Sequence, residues 1–480
     1  MADTDLSGLT VVEAAREIDA RRLSPVELTD SILQRIRLLD GSLNAYIAVA
    51  EVEARSEARS AESEIMRGRY RGQLHGIPIA LKDLYDVRGM PTTAGGKLRN
   101  SLDVEQDSVV AHRLRRAGAI LTGKLNLHEY AFGVTNINPF FGTARNPWDL
   151  DRISGGSSGG SGVAVAADLC LAALGSDSGG SIRIPACLCG IVGFKPSYGV
   201  VSRRGVYPLS WSLDHAGPMT KTVADTTLIF QEIAGYDPLD PGSIKVRPRN
   251  YLDELGKGLK GWKIGILGGA WLRNLDDDVY QNFHNALKVF EGLGATLKRE
   301  LVIPGGEYAQ AVNTAIISAE AAVIHGENLK TQSDVYSDGL FSRLASGLLL
   351  GASEYIRAQQ VRRVLAERLL ELFSDVDLLL LPMVAIPAPR ISEDTIRIRE
   401  REVPVGNVLT RHTGLFNLTG TPAISLPSGF SRDGLPTGIQ IAGRYLEDSA
   451  VLRAAYAYES MTNWSQFKPN LTPSMMEVHE

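Results

Sequence analysis

Two short runs of glycine and serine contain the residues whose types and spacing best suit chemistry. The first run covers residues 155–162 and the second covers residues 175–181. Runs of this composition are most often flexible linkers. Here they flank an apolar stretch at residues 163–174, in which Asp168 is the one charged residue. We therefore interpret both runs as turns that are held against a folded core.

The second run predicts a nucleophile beside a turn that can bind a negatively charged oxygen. Two successive glycines let neighbouring backbone N–H groups point into one concavity, here those of Ser178, Gly179, Gly180 and Ser181. Such a nest suits the oxyanion that develops on a carbonyl group under attack. The hydroxyl of Ser181 is the candidate nucleophile, but a serine needs a base within hydrogen-bonding distance.

Lys82 is the candidate base. It directly follows an apolar run at residues 77–81, so it ends a predicted buried strand. Burial disfavours the ammonium form and lowers the pKa of a lysine, which allows the neutral amine to accept a proton. A structural lysine that pairs with the adjacent Asp83 fits the pattern equally well. The eight histidines have no sequence neighbourhood that marks a base, and we interpret each as a surface or core residue.

Ser157 offers an alternative nucleophile. Residues 155–159 match the G-x-S-x-G pattern of the nucleophile elbow in α/β-hydrolases. That elbow requires a strand directly before the serine, whereas residues 145–152 predict a polar loop. We therefore favour Ser181 over Ser157 as the nucleophile.

The elements that must position these residues predict an α/β sheet protein. Two capped helices within the first 40 residues precede a region, from about residue 74, in which short apolar runs alternate with helical patterns. The predicted strands are at residues 77–81, 119–122, 262–267, 378–381 and 438–442, helices are predicted at 108–117 and within 307–373, and 391–405 is predicted to be irregular. We expect residues 1–60 to form a helical segment packed on the core, and residues 61–475 to form a single α/β domain.

Composition limits the classes of partner and cofactor. The 480 residues are 44% hydrophobic and 22% charged, which is typical of a globular protein, and the net charge of −5 gives no electrostatic reason to expect nucleic acid or a membrane surface as a partner. The amino terminus has no secretory signal pattern and no apolar run is long enough to span a bilayer, so we expect a cytoplasmic protein. Cys170, Cys187 and Cys189 are expected to be free, buried thiols. The sequence contains no zinc-ligand motif such as H-E-x-x-H, and we expect neither a metal nor a cofactor.

Together these residues closely resemble the amidase signature family. The resemblance is carried by residues 76–83, 155–160, 177–185, 189–196, 420–423 and 434–440. It extends over most of the chain and is densest at residues 74–220. It implies the amidase signature fold, which is a large mixed, twisted β-sheet covered by helices on both sides.

The resemblance also implies a Ser-cisSer-Lys triad. Transferred to this sequence, Ser181 is the nucleophile, Ser157 the bridging serine and Lys82 the base, with a cis peptide bond before Ser157. The separation of the two serines, 181 minus 157 or 24 positions, agrees with the family pattern and selects Ser157 over Ser158.

Three further residues are expected to support the triad. Ser176 stands where the family has a hydroxyl residue that supports it, which implies a further hydrogen bond to the triad. Asp177 and Arg183 are expected to form the framework of the turn and to take no direct part in the chemistry.

The implied activity is hydrolysis of a small-molecule carboxylic amide to an acid and an amine or ammonia through a seryl acyl-enzyme. The alternative is the glutaminase subunit of a tRNA-dependent amidotransferase, although residues 401–410 do not match the glutamine-contacting segment of that protein. The resemblance is also compatible with a homodimer. The acyl pocket is expected from residues 130–138, 210–214 and parts of 305–412, with Phe132, Trp211 and Phe416 as aromatic candidates.

Overall fold

A mixed β-sheet of eleven strands runs through the part of the chain that this computed structural model describes, namely residues 6–98, 104–247, 249–398 and 401–471. The strands are β1 (Tyr46–Val49), β2 (Pro78–Lys82), β3 (Ile120–Leu125), β4 (Arg145–Asn146), β5 (Asp149–Ile153), β6 (Ala172–Asp177), β7 (Val192–Lys195), β8 (His215–Thr220), β9 (Lys263–Leu267), β10 (Thr296–Leu301), β11 (Leu378–Pro382), β12 (Thr395–Ile398), β13 (Arg401–Pro404), β14 (Ala423–Phe430) and β15 (Pro436–Gly443). The order in the large sheet is β1-β3-β2-β6-β8-β7-β14-β15-β11-β9-β10, and β4–β5 and β12–β13 form two separate pairs.

Helices cover both faces of the large sheet. They are α1 (Val11–Asp19), α2 (Pro25–Leu43), α3 (Glu51–Met66), α4 (Val109–Arg116), α5 (Gly159–Ala166), α6 (Arg183–Leu188), α7 (Val223–Ile233), α8 (Asp277–Gly292), α9 (Ala309–Thr331), α10 (Asp338–Leu348), α11 (Ala352–Asp375), α12 (Val405–Leu409), α13 (Gly414–Leu418) and α14 (Asp448–Ser460). Alternate residues of β11 belong to different cores, because side chains of a strand point to opposite faces. Leu378 and Leu380 lie in the cluster that includes α8 and α14, whereas Leu379 and Leu381 lie in the cluster that includes α9 to α11. The predicted fold class is confirmed.

The amino-terminal segment forms the two predicted helices and also a strand. Thr10 caps α1 and Ser24 caps α2, each in a capping box with the glutamate three residues later. Strand β1 then pairs antiparallel with β3 at one edge of the large sheet. The residues before position 60 therefore contribute to the sheet as well as packing on it, and the division at residue 60 stays a prediction.

The prediction of an irregular stretch at residues 391–405 is wrong, because β12 and β13 pair there as an antiparallel hairpin. The segment alternates between half-buried and exposed residues, and Ile396 packs against the cluster around Val384 and Val405. One face is therefore apolar enough to dock, while the charged side chains face solvent and obscure the alternation in the sequence.

The prediction of a polar loop at residues 145–152 is also wrong. Strands β4 and β5 pair antiparallel there, and the Asn146 side chain donates to the carbonyl of Ile153 at 3.1 Å. The chain thus runs from a strand through a turn into α5 around Ser157. This strand belongs to the separate β4–β5 pair, so Ser157 does not follow a strand of the large sheet.

Candidate active site

Lys82 is the last residue of β2, a strand inside the sheet that is parallel to both of its neighbours, β3 and β6. Leu81 is paired with Leu174 of β6. The carboxyl ends of parallel strands meet at the same edge of a sheet, where α/β proteins place their ligand sites. This register brings Lys82 to the last residues of β6, where Ser176 lies.

The amine of Lys82 is fully buried and its hydrogen-bond acceptors are two serine hydroxyls. Its Nζ atom donates to Oγ of Ser157 at 2.7 Å and to Oγ of Ser176 at 2.9 Å. Burial lowers the pKa of Lys82 to about 7, against the opposing effect of the charges on Asp177 and Asp214. A substantial fraction of this amine is therefore neutral at physiological pH and able to act as a base.

Asp83 does not pair with Lys82. Its carboxylate forms a buried salt bridge with Lys124 at 2.5 Å and accepts a hydrogen bond from the Thr93 backbone N–H at 3.0 Å. The alternative interpretation of Lys82 as the ion-pair partner of Asp83 is therefore wrong.

Ser157 lies in the turn between β5 and α5, and the peptide bond between Gly156 and Ser157 is cis, as the family resemblance implies. Glycine is required at position 156, because a Cβ atom there would lie 2.9 Å from the backbone nitrogen of Asn136. The side chain of Asn136 also accepts from the N–H of Gly159 at 3.1 Å, which ties the start of α5 to the same loop. Ser157 is thus held buried against the Lys82 amine.

Ser181 lies in the connection between β6 and α6, and we call residues 177–183 the Ser181 turn. The Asp177 carboxylate accepts from the backbone N–H of Gly180 at 2.7 Å and from that of Ile182 at 3.2 Å. Gly180 has a φ of +128°, a conformation that glycine adopts readily and other residues rarely adopt. Asp177 therefore shapes the turn through its own backbone.

Arg183 completes this framework. Its Nε and Nη2 atoms each donate to Asp177 at 2.9 Å, and the same guanidinium donates to Gln440 at 2.6 Å and Asn417 at 2.7 Å. Burial alone would raise the pKa of Asp177, but the charge and hydrogen bonds of Arg183, with the charge of Lys195, hold it well below its usual range. Because separating the two charges of a buried ion pair is strongly unfavourable, this pair fixes the position of Arg183 relative to Asp177.

Two residues far away in the sequence hold the other side of the Ser181 turn, and sequence reasoning missed both. Asn313 of α9 donates to the carbonyl of Ser178 at 3.1 Å, and the Thr413 hydroxyl donates to the carbonyl of Gly179. These partners are 135 and 234 positions away in the chain, and no local pattern marks them.

The hydrogen bonds of the turn leave some N–H groups free. Those of Ser178, Gly179 and Ser181 have no acceptor within the residues that the structure describes, whereas the N–H of Gly180 is already directed at Asp177. A group of free N–H donors of this kind can bind an oxyanion. Ser181, which is 6% exposed as a residue, lies at the end of this group, and its hydroxyl makes no hydrogen bond to another described residue.

The two glycine–serine runs lie against each other. The backbone N–H of Ser158 donates to the carbonyl of Ser181 at 3.2 Å, and the Ser158 hydroxyl donates to the carbonyl of Ser176 at 3.2 Å. Ser157, the Ser181 turn and Lys82 are therefore brought to one place in the molecule. The structure joins Lys82, Ser157 and Ser176 by hydrogen bonds and places Ser181 beside them.

A cavity of about 240 Å³ reaches this place from the side of Ser176. Trp211 and Asp214, from one of the predicted acyl-pocket segments, line this cavity together with His215, and neither Ser157 nor Ser181 is among its lining residues. The aromatic candidate Phe416 is fully buried and belongs to the core.

The described residues contain no metal site, no disulfide bond and no membrane-spanning helix. Within the described ranges, no three His, Cys, Asp or Glu side chains cluster closely enough to hold a metal ion. Cys170, Cys187 and Cys189 are buried and free of disulfide bonds. None of the described helices combines the length and apolar character that crossing a bilayer requires.

The fold and the site define a class of enzyme. A buried amine of lowered pKa beside serine hydroxyls, next to free backbone N–H groups, has the parts that acyl-group chemistry needs. Comparison with known proteins then gives the family: the family described as Amidase matches residues 27–452, and the chain belongs to this family, the amidase signature enzymes. The chain is an amide-hydrolysing enzyme, and the family resemblance is confirmed.

Relatives of two kinds are similar to this chain. An amidase of Pseudomonas putida is 39% identical over 475 residues, which cover 98% of this chain and 99% of that protein. A glutamyl-tRNA(Gln) amidotransferase subunit from Geobacter sp. (strain M21) is 37% identical over 485 residues, which cover 96% of this chain and 98% of that protein. The crystal structure of a bacterial aryl acylamidase superposes with a TM-score of 0.89 at 28% identity, covering 99% of this chain and all of that one.

Proposed function

We propose that this protein is a stand-alone amidase that cleaves a carboxylic amide through a seryl acyl-enzyme, with Ser181 as nucleophile, Ser157 as proton relay and Lys82 as base. The observation that carries the proposal is the 2.7 Å hydrogen bond between the buried Lys82 amine and the Ser157 hydroxyl. It supports a proton path that starts at a neutral amine and passes through a hydroxyl that lies beside Ser181.

In the first step, neutral Lys82 takes the proton of Ser157 while Ser157 takes the proton of Ser181. The Ser181 oxygen then forms a bond to the amide carbon, and the carbonyl oxygen becomes an oxyanion. The N–H groups of Ser178, Gly179 and Ser181 stabilise it. The sequence prediction also included the N–H of Gly180, but its 2.7 Å bond to Asp177 leaves it out of this proposal.

In the second step, the carbon–nitrogen bond breaks and Ser157 gives its proton to the departing nitrogen, while the ammonium of Lys82 returns a proton to Ser157. Protonation is needed because an amide anion is a very poor leaving group. Water then attacks the acyl-enzyme with the same groups acting as base and acid. The acid product leaves, and Ser181 regains its proton.

Labelling with a serine-reactive phosphonate tests the nucleophile. We expect Ser181→Ala to lose covalent labelling, because the phosphorus atom bonds to an activated serine oxygen. Ser346→Ala, which removes an exposed hydroxyl on α10, is the matched control and should label like the wild type. If Ser181→Ala still carried the label on Ser157, the nucleophile-elbow interpretation would replace this proposal.

The second candidate is the glutaminase component of a tRNA-dependent amidotransferase. It is favoured by the amidotransferase relative, which is 37% identical, almost as similar as the amidase at 39%. Assays of the isolated protein with a mixed panel of amides, glutamine included, separate the two. Turnover of other amides without partner proteins supports the stand-alone amidase, whereas activity confined to glutamine supports the amidotransferase component.

A further inference from the structure

The free N–H groups of the Ser181 turn belong to peptide bonds whose carbonyl groups are held on the opposite side. The peptide bonds of the turn are trans, because the cis bond of the described residues is the one between Gly156 and Ser157. In a trans peptide bond the C=O and N–H groups point in opposite directions. A donor that holds such a carbonyl therefore also sets the direction of the N–H group.

Side-chain amides hold two of these carbonyls and a backbone N–H group holds the third. The donor and carbonyl pairs are Asn417 with Asp177 at 3.0 Å, Asn313 with Ser178 at 3.1 Å, and the backbone N–H of Ile184 with Gly180 at 2.7 Å. The N–H groups on the other side of these peptide bonds are, in the same order, those of Ser178, Gly179 and Ser181. Each of the three free donors is thus oriented from behind by at least one hydrogen bond.

Asn313 differs from Asn417 in the number of contacts that its side chain makes. Its bond to the Ser178 carbonyl is the one side-chain hydrogen bond that it forms within the described residues. Asn417 also donates to the Asp177 carboxylate at 2.8 Å and accepts from Arg183 at 2.7 Å, so it belongs to the buried ion-pair framework. Asn313 can therefore be changed without removing a partner of that framework.

Packing holds the Asn313 side chain in place on α9. The residue is 5% exposed. Gly179 and Gly414 enclose it closely, because a Cβ atom at position 179 would lie 2.8 Å from Oδ1 of Asn313 and one at position 414 would lie 3.1 Å from its Cβ atom. Donors that are already fixed in place stabilise an oxyanion without reorganisation during the reaction. The N–H of Gly179 is such a donor as long as Asn313 holds its peptide bond.

We propose that Asn313 is a positioning residue for amide cleavage, because its hold on the Ser178 carbonyl directs the Gly179 N–H toward the oxyanion. This inference rests on the proposed function, since the oxyanion forms only when Ser181 attacks a carbonyl carbon. The bound substrate has an uncharged carbonyl oxygen, whereas the tetrahedral intermediate has an anionic one. Loss of the Asn313 amide should therefore lower kcat and leave KM nearly unchanged.

Thr413 provides a comparison on the same side of the turn. Its hydroxyl donates to the carbonyl of Gly179, so it orients the peptide bond that carries the N–H of Gly180. That N–H donates to the Asp177 carboxylate at 2.7 Å and is not one of the free donors. Loss of the Thr413 hydroxyl should therefore weaken oxyanion binding less than loss of the Asn313 amide.

Paired ligands test this inference without turnover. A straight-chain alkyl trifluoromethyl ketone accepts the serine oxygen at its carbonyl carbon and forms an anionic tetrahedral adduct, whereas the alcohol obtained by its reduction cannot form one. We expect the wild type to bind the ketone more tightly than the alcohol in calorimetric titration of the intact protein. Asn313→Leu, which keeps a branched side chain of similar size, should weaken ketone binding about tenfold or more and leave alcohol binding unchanged. Asn313→Ala should behave in the same way.

Two control variants and a kinetic measurement accompany the titrations. Thr413→Val should lose less ketone affinity than Asn313→Leu. Asn285→Leu, which changes an exposed asparagine on α8, should keep the wild-type affinity. Binding of the alcohol shows in each variant that the site is still folded. With an amide from the mixed panel that the wild type hydrolyses, kcat of Asn313→Leu should fall by about the same factor as its ketone affinity, at nearly constant KM.

The outcomes separate this inference from the proposed function. Ketone affinity that is lost in Asn313→Ala but kept in Asn313→Leu would show that the side chain acts by packing, and would overturn the inference. An equal loss of ketone affinity in Thr413→Val would also overturn it. In both cases the ketone preference would still disappear in Ser181→Ala, and the proposed function would stand. A wild type that binds the ketone and the alcohol alike would instead overturn the proposed function, and this inference with it.

Discussion

At the residue scale, three buried lysines show that burial alone does not define a base. Lys124 is buried in a salt bridge with Asp83, and Lys195 is buried with its amine donating to the carbonyl of Thr421 at 2.6 Å. Lys124 also donates to the Thr92 hydroxyl at 3.1 Å, but its amine is held by the Asp83 carboxylate. The Lys82 amine instead donates to two hydroxyls, those of Ser157 and Ser176, and forms no salt bridge within the described residues. A hydroxyl has a proton that it can give to a neutral amine. An ionised carboxylate and a carbonyl have no such proton. The partners of the amine therefore separate Lys82 from the other two.

The pH dependence of activity follows from the pKa of Lys82. In the proposed mechanism the amine has to be neutral in the free enzyme, and its pKa is about 7. Below that pH the protonated fraction grows, so kcat/KM should fall about tenfold for each further pH unit. A pH–rate profile of kcat/KM measures this limb. A profile that stays flat down to pH 5 would contradict the role of Lys82 as base.

Substitution of two lysines separates chemistry from folding. Lys82→Ala should lower kcat by about 10²–10⁴-fold and leave cooperative unfolding in place, because no buried carboxylate loses its partner. Lys124→Ala leaves Asp83 buried and unpaired, so it should destabilise the fold by about 3–5 kcal/mol. Turnover and urea denaturation of both variants provide the comparison. Unfolding of Lys82→Ala at the level of Lys124→Ala would indicate a structural lysine.

At the scale of elements, the Ser181 turn depends on one buried ion pair. Asp177 ends β6 and Arg183 begins α6, so their two parallel hydrogen bonds close the connection in which Ser181 lies. Arg183 also reaches Asn417 of α13 and Gln440 of β15. The position of Ser181 relative to the sheet is therefore fixed from three elements.

Replacing Arg183 tests this framework. Arg183→Met removes the counter-charge that is hydrogen-bonded to the buried Asp177 and should lower the free energy of unfolding by about 3–5 kcal/mol. Arg299→Met breaks an exposed ion pair with Glu291 and should cost about 0–1 kcal/mol. Urea denaturation of both variants measures the difference. Equal losses would mean that the Asp177 pair does not hold the turn.

At the scale of the whole molecule, the buried Asp225 and the half-buried Glu459 join α1 and α14 to α7. The backbone N–H of Val223, at the start of α7, donates to both oxygens of Glu459 in α14 at 3.0 Å. Asp225 in the same helix accepts from the backbone N–H of Val12 in α1 at 2.9 Å. Burial raises the pKa of Glu459 to about 8, with a further rise from the charge of Asp225, and burial raises that of Asp225 to about 6.

These two raised pKa values contribute a loss of stability with rising pH, opposite in sign to the contribution of His128, His325 and His412, whose pKa values burial lowers. A carboxyl group whose pKa is higher in the folded than in the unfolded state binds more protons when folded, so stability is lost as pH rises from about 4.5 to about 8. Glu459→Gln keeps one acceptor for Val223 and should reduce the loss between pH 5 and pH 8 by about 1–2 kcal/mol. Urea denaturation at the two pH values measures it, with exposed Glu291→Gln as control. A change in stability between pH 5 and pH 8 that is the same in the wild type and in Glu459→Gln would contradict this.

The sequence by itself determined those features that depend on residues close together in the chain, namely helix starts, a buried strand and the short motifs. The capping residues Thr10 and Ser24 identify two helices, and the apolar run before Lys82 identifies its buried strand, because these signals lie within a few residues of one another. Lys82, Ser157 and Ser181 were found from short motifs for the same reason. The hairpin at residues 391–405 was missed, because it depends on Ile396 docking into a cluster that other segments form.

The tertiary structure decided which groups are partners. It pairs Asp83 with Lys124, brings Asn313 and Thr413 to the Ser181 turn, and turns the N–H of Gly180 toward Asp177. Some of these partners are more than a hundred positions apart in the chain. The order of strands in the sheet sets such contacts, and a hydrogen bond depends on distance in space, which local sequence patterns do not encode.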